Sequence, residues 1–280
     1  MFGLVPKTIW SRRIAPDERN RIQQAANVIL IELADGRRGI IDTGCGEPAE
    51  FAQKERDLHG LDTDCSLLSA LRDCELGAED IDFVILTHAH WDHAGGAGRT
   101  TETGDRVPTF PHAKHYIHAL EWYDACSGDP LLYKSYPEAT IAPLRRLPED
   151  QLCLVSDEQP EIVPGIKLLR SGGHTRGHST VLLSGAALEL DHPQADELGS
   201  IAFMLCTGDV CPTKQHFPLV FQTAYDTYPL ETRDWKLRWL PRVIEERGLL
   251  LFGHDPTLFG ATLTLNERGH PAIDKSIRSD

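Results

Sequence analysis

Thr87-His88-Ala89-His90-Trp91-Asp92-His93 crowds three imidazoles and a carboxylate into six positions, directly after the apolar run Ile81-Asp82-Phe83-Val84-Ile85-Leu86. A short apolar run rich in β-branched and aromatic residues reads as a buried strand. The cluster therefore leaves a strand at its carboxyl end. Imidazole nitrogens with a carboxylate suit a borderline-soft divalent ion such as zinc. In an extended segment His88, His90 and Asp92 would point to one face and His93 to the other. All four can face one cavity only if the chain turns there. Four neighbouring ligands also exceed what one open catalytic zinc takes from protein. Two ions are the economical reading.

Working outward, Asn27–Leu33 reads as a strand, Asp35-Gly36 as a hairpin turn, and Gly39–Gly44 as the returning strand ending in a glycine turn. Residues 47–65 read as a loop or short helix. Leu67, Leu68, Leu71 and Leu76 have helical spacing with Gly77 as the stop. Beyond the cluster, 95–112 is rich in glycine and proline and reads as a loop. A strand at Lys114–His118 and a helix at Ala119–Cys126 follow, then a partly helical stretch, 129–149, interrupted by Pro137 and Pro143. Further strands are predicted at 152–155, 161–170, 180–184, 201–207 and 249–252. The insert 185–199 is acidic and expected to be exposed. Glu231–Arg247 reads as a helix that buries Trp235, Trp239, Val243 and Ile244, kinked or divided at Pro241. Strands and helices alternate in both halves, without repeats or a linker. That pattern predicts one α/β domain, a sandwich of two mixed sheets flanked by helices.

The 280 residues are 41% hydrophobic and 25% charged, enough for a sizeable core, and the formal net charge is −14. Such a surface repels phosphate backbones and argues against a nucleic-acid partner. No stretch approaches the ~18–20 apolar residues of a membrane helix. The opening Met1-Phe2-Gly3-Leu4-Val5-Pro6-Lys7 lacks a secretory pattern, so a cytoplasmic protein is expected. Seven cysteines (Cys45, Cys65, Cys74, Cys126, Cys153, Cys206, Cys211) are irregularly spaced without a C-x-x-C pair. Reduced thiols, mostly in or near the core, are predicted.

A strand followed by H-x-H-x-D-H, with isolated histidines and an aspartate later, resembles the metallo-β-lactamase-fold superfamily. Gly172-Gly173-His174-Thr175-Arg176-Gly177-His178-Ser179 is similar to its second histidine motif. Thr207-Gly208-Asp209-Val210 is similar to its aspartate motif, and Phe252-Gly253-His254-Asp255 to its final histidine motif. Asp42 in Ile41-Asp42-Thr43-Gly44 matches its aspartate after the first hairpin. The resemblance implies a four-layer αββα sandwich of two mixed β-sheets, with an N-terminal extension at 1–25. It also implies that His88, His90 and His174 hold a first ion, that Asp92, His93 and His254 hold a second, and that Asp209 bridges both. Zn2+ is the expected metal, with Co2+, Mn2+ and Fe2+ as alternatives. Asp42 and His178 are then expected behind the ligands, orienting them. His112, His115, His118, His192, His216 and His270 are expected to be ordinary surface or core residues.

Two divalent ions about 3.5–4 Å apart can share a water and lower its pKa toward about 7, which implies hydrolysis by a metal-bridging hydroxide. Asp209 and Asp92 are the candidate catalytic carboxylates, Asp209 passing a proton to the leaving oxygen. The opening ten residues, Ile162–Lys167 and Tyr225-Asp226-Thr227-Tyr228-Pro229 resemble the quorum-quenching lactonase branch, its YtnP-like members and methyl-parathion-hydrolase-like enzymes. That resemblance implies a small lactone or ester substrate, N-acyl homoserine lactones first. Many such lactonases carry a tyrosine three residues after the bridging aspartate, where this chain has Pro212. Tyr225 or Tyr228 could replace it, and Phe217, Phe221 and Trp10 are candidates for an apolar trough. Homodimerisation stays open. Alternative readings are a phosphotriesterase or arylesterase on the same metals, a mononuclear iron oxidoreductase like the persulfide dioxygenases, and a non-catalytic metal-binding scaffold.

Overall fold

The computed structural model describes residues 1–61, 66–132, 134–185 and 188–279; Cys65 and residues 186–187 of the acidic insert lie outside them. The chain divides into two compact units. Val28–Ser156 forms one, and Met1–Asn27 joins Asp157–Asp280 in the other. The short helix α1 (Lys7–Trp10) belongs to the latter. No helix among the described residues is long and apolar enough to cross a membrane.

In the unit Val28–Ser156, β1 (Ile29–Glu32) and β2 (Arg38–Ile41) form the expected hairpin, with Gly36 at φ +87° in its turn. The 47–65 segment contains helix α2 (Gln53–His59), and α3 (Leu67–Asp73) follows. Next come β3 (Phe83–Ile85), α4 (Trp91–Ala94), and a ribbon of β4 (Gly98–Thr100) with β5 (Arg106–Pro108). This ribbon corrects the reading of 95–112 as loop throughout. β6 (Lys114–His118), α5 (Ala119–Cys126), α6 (Glu138–Arg145) and β7 (Leu152–Val155) complete the unit. The sheet runs β1-β2-β3-β6-β7, parallel from β2 onward. Its core joins Ile40, Val84, Leu86 and Ile117 to Phe110, Ile141 and Leu144.

Pro143 does not interrupt its helix, contrary to expectation. A proline lacks the N–H that would bond the carbonyl four residues back. That carbonyl belongs to Ala139, and the Arg106 guanidinium donates to it instead, from Nε at 3.2 Å and Nη2 at 3.0 Å.

His115, on β6, is fully buried and donates from Nδ1 to the Ala113 carbonyl. Burial pushes its imidazole down from 6.5 to about 4. The folded state thus binds fewer protons than the unfolded chain between those values, so stability present above pH 6.5 is lost as pH falls toward 4. The displacement corresponds to about 3 kcal/mol. We expect His115→Leu to flatten the stability profile between pH 6.5 and 4 in chemical denaturation. A slope matching the wild type would remove His115 as its source.

In the other unit, the predicted strand 161–170 is two strands, β8 (Glu161–Val163) and β9 (Ile166–Arg170), turning at Gly165 with φ +86°. β10 (Ser179–Ser184), α7 (Ala195–Leu198), β11 (Phe203–Cys206), α8 (Pro229–Glu245), β12 (Leu249–Leu251), β13 (Leu258–Leu265) and β14 (Pro271–Arg278) follow. The insert 185–199 is not wholly exposed, because α7 buries Leu198. The mixed sheet runs β14-β13-β12-β11-β10-β9-β8, and only β11 and β12 are parallel. α8 continues through Pro241 undivided. The carbonyl it frees belongs to Leu237, whose side chain lies on the exposed face, where water can reach it. Trp235, Trp239 and Val243 are buried as expected, Ile244 only partly.

Register in each sheet decides what emerges from it. β2 and β3 pair Ile41 with Ile85, so Asp42 and Thr87 leave the same edge side by side. β11 and β12 pair Cys206 with Leu251, so Asp209 and His254 each lie three residues past a matched pair. Ser179 on antiparallel β10 pairs with Arg170, which brings the 171–178 loop to that same edge. In a sheet, groups beyond the carboxyl ends of parallel strands are free to converge on a ligand.

Candidate metal centre

In the unit Val28–Ser156 the turn needed to gather the H-x-H-x-D-H residues is α4. His90 is extended (φ −64°, ψ 154°) and caps it, and the helical turn carries Asp92 and His93 around. The His88 ring lies 4.1 Å from that of His93 and 4.5 Å from that of His90, centroid to centroid. Gly95 and Gly96 follow because nothing larger fits. A Cβ on Gly95 would stand 2.3 Å from the Cys45 carbonyl oxygen, and one on Gly96 2.2 Å from that of Thr43.

Asp42 braces this turn. Its backbone is left-handed at φ +57°, an unfavourable conformation that aspartate tolerates better than most residues. Its carboxylate accepts from the Thr87 amide at 2.8 Å, the Thr87 hydroxyl at 2.8 Å and His93 Nδ1 at 2.8 Å. Because the Thr87 hydroxyl donates to Asp42, its oxygen can accept from His88 Nδ1 at 3.2 Å. Both rings therefore carry their proton on Nδ1, which leaves the Nε2 lone pair as the acceptor of each ring. Glu121 on α5, fully buried, accepts from the Ala89 amide at 3.0 Å and the Tyr136 hydroxyl at 3.0 Å. It thereby holds the peptide between His88 and His90. Burial first, then the Asp92 charge, push the Cys45 thiol up to about 12.

In the unit that includes Asp157–Asp280, Asp209 stands between two imidazoles. Its Oδ2 lies 3.3 Å from His174 Nε2 and its Oδ1 3.1 Å from His254 Nε2. His254 Nδ1 donates to the Ala25 carbonyl at 2.6 Å, which can only accept. The Ala25 amide returns a bond to the His254 carbonyl at 3.1 Å, and the Pro212 carbonyl accepts from the His254 amide at 3.0 Å. His174 Nδ1 lies 3.0 Å from Asp226 Oδ1. A neutral imidazole has one N–H, so in both rings the Nε2 lone pair faces a carboxylate oxygen. Acceptor against acceptor is repulsive unless a cation lies between them or an extra proton is taken up. These residues fit a divalent metal.

His178 is arranged differently. Its Nε2 accepts from the Asp209 amide at 2.8 Å, and its Nδ1 lies 2.6 Å from the Ser171 hydroxyl. Both ring nitrogens are thus engaged within the protein. Tyr225 and Tyr228 are 66% and 40% exposed. Phe217 and Phe221 are buried, Phe217 against Phe252 and Phe221 against Phe2. Trp10 packs on Phe2. His216 is also buried, stacked on Phe2, and burial followed by the Lys236 charge holds it well below its ordinary pKa. His115 and His118 are buried too, whereas His112 and His270 are exposed. Sequence reasoning missed Thr87, Glu121, Tyr136, Asp226 and the Ala25 carbonyl.

Residues 22–186 match the family described as the metallo-beta-lactamase superfamily. An N-acyl homoserine lactonase of Bacillus thuringiensis is 25% identical over 181 residues, 63% of this chain and 57% of that protein. The chain thus spans little more than half the length of that relative. N-acyl homoserine lactonase AiiB of Rhizobium rhizogenes is 28% identical over 205 residues, 72% of this chain and 66% of its own. Among solved structures, a probable metal-dependent hydrolase from Staphylococcus aureus aligns with a TM-score of 0.81 and 29% identity, covering 100% of this chain and 91% of its own.

Proposed function

Because the chain belongs to the metallo-beta-lactamase superfamily, we propose that it is a metal-dependent hydrolase that opens lactone rings, N-acyl homoserine lactones first among them. The observation that carries the metal reading is Asp209, each of whose oxygens faces the Nε2 of a histidine already protonated on Nδ1. The reading assigns His88, His90, Asp92 and His93, with His174, Asp209 and His254, to two divalent ions, zinc by preference. Bound there, the ions would activate a water for attack and polarise the substrate carbonyl. The protein's own residues do the rest. Asp42 and Thr87 keep His93 and His88 in one tautomer, His178 holds the Asp209 backbone, and Asp209 would take up the proton lost by the attacking water and pass it to the departing alkoxide oxygen. The substrate class rests on similarity to lactonases at 25–28% identity. It is also supported by Trp91, a half-buried ring between His90 and Asp92 in the chain. Trp91 packs on Phe51 at 5.6 Å and His59 at 4.8 Å and suits an apolar acyl group.

One observation favours a second reading on the same metals. Pro212 stands where many lactonases have a carbonyl-binding tyrosine, and its own carbonyl is engaged by the His254 amide. A phosphotriester or aryl ester does not require that hydroxyl. Assays on metal-quantified protein, with short- and long-chain acyl homoserine lactones beside a paraoxon-type phosphotriester, separate the two. We expect kcat/KM for the preferred lactone to exceed that for the phosphotriester by about 100-fold or more. The reverse order would transfer the assignment to the phosphotriesterase.

A further inference from the structure

The loop between β11 and α8 holds a carboxylate that the family motifs leave without a role. Asp226 is almost wholly buried, its side chain 1% exposed. Three side chains offer it a proton. His174 Nδ1 lies 3.0 Å from Oδ1, the Thr223 hydroxyl donates to the same oxygen, and the Thr232 hydroxyl donates to Oδ2 at 2.8 Å. The next residues grip the histidine's backbone. The Thr227 amide and hydroxyl donate to the His174 carbonyl at 3.0 and 2.9 Å, and the Tyr228 amide donates to the Gly173 carbonyl at 2.8 Å. The glycine before His174 permits this approach. Gly173 has φ +86°, and a Cβ there would stand 2.4 Å from the Thr232 hydroxyl oxygen.

We propose that Asp226 is the positioning residue for His174: its carboxylate fixes the proton on Nδ1 and aims Nε2 at the ion shared with Asp209. This rests on the metal-hydrolase reading above. A carboxylate accepts only, so it permits one tautomer. Nδ1 also lies 3.2 Å from the Thr223 hydroxyl, which can donate or accept and would permit both. A carboxylate behind a ligating imidazole also raises its basicity, and removal of such a partner typically weakens metal binding by about 10–100-fold.

The test is titration of the metal-free full chain with Co2+, followed by absorbance, together with 15N chemical shifts of the His174 ring before metal is added. In the wild type we expect two bound equivalents and the Nδ1–H tautomer. Asp226→Ala should weaken one equivalent by about 10–100-fold, leave the other within about twofold, and mix the tautomers. Asp226→Asn keeps an oxygen for Nδ1–H while its amide faces Thr232. It should hold the tautomer and lose only several-fold in affinity. Wild-type affinity for both equivalents in Asp226→Ala would overturn the proposal. So would equal weakening of both equivalents in both variants, since that marks a merely structural role. A wild type that takes up no divalent ion would overturn the metal reading itself, which distinguishes that failure from this one.

Discussion

Asp209→Asn is expected to lower kcat on the best ester substrate by about 10^3-fold, the upper end of what removing one preorganised electrostatic group costs. The carboxylate presents one oxygen to His254 Nε2 at 3.1 Å and the other to His174 Nε2 at 3.3 Å. Asparagine keeps one of those oxygens and replaces the other with an NH2 that cannot ligate a cation. Metal content should fall alongside turnover. His178→Ala is the informative comparison. It removes the acceptor of the Asp209 amide at 2.8 Å but no oxygen from the carboxylate, so its loss should stay within about 10–100-fold. Steady-state kinetics on metal-quantified protein checks both. Equal losses in the two variants would defeat the bridging assignment of Asp209.

Chelation has the other large expected effect. Exhaustive removal of divalent ions should reduce hydrolysis to background, and Zn2+, Co2+ or Mn2+ should restore it. Stability should fall as well, because an ion bound only by the folded chain stabilises it by about 4 kcal/mol when present at 1,000 times its Kd. The physical ground is the approach of bare imidazole nitrogens to the Asp209 oxygens, which leaves acceptors facing each other once the cation is gone. Activity and melting temperature measured before chelation, after it and after metal addition provide the check. Hydrolysis that survives complete metal removal would contradict the mechanism.

Much of this was legible in the chain itself, for identifiable reasons. H-x-H-x-D-H after an apolar strand places its ligands by local geometry, and α4 supplies the turn that the spacing demanded. β6, α5 and β7 emerged with their observed bounds because apolar periodicity changes sharply there. The prolines misled because their cost depends on where the freed carbonyl points. The Ala139 carbonyl finds Arg106, and Leu237 lies on an exposed face. β13 and β14 went unread although Leu263-Thr264-Leu265 alternates and Gly269 closes their turn at φ +72°. The supporting groups were the hardest to see. Glu121 sits on a helix face with buried Ala125, where charge is rare, and its partners Ala89 and Tyr136 are distant in sequence. Asp226 lay inside a stretch noticed for its tyrosines, yet it is the aspartate that turns inward.

The matched exits of β11 and β12 constrain how this chain can change over generations. Cys206 and Leu251 are level, and Asp209 and His254 each follow after the same short tether. Inserting or deleting a single residue in either tether would leave the sheet intact while swinging one side chain out of step with its neighbour. Lengthening can be absorbed in segments such as 185–199, far along the strand from these exits. The spacing of the two tethers is thus held by the need for simultaneous arrival, independently of which amino acids fill them.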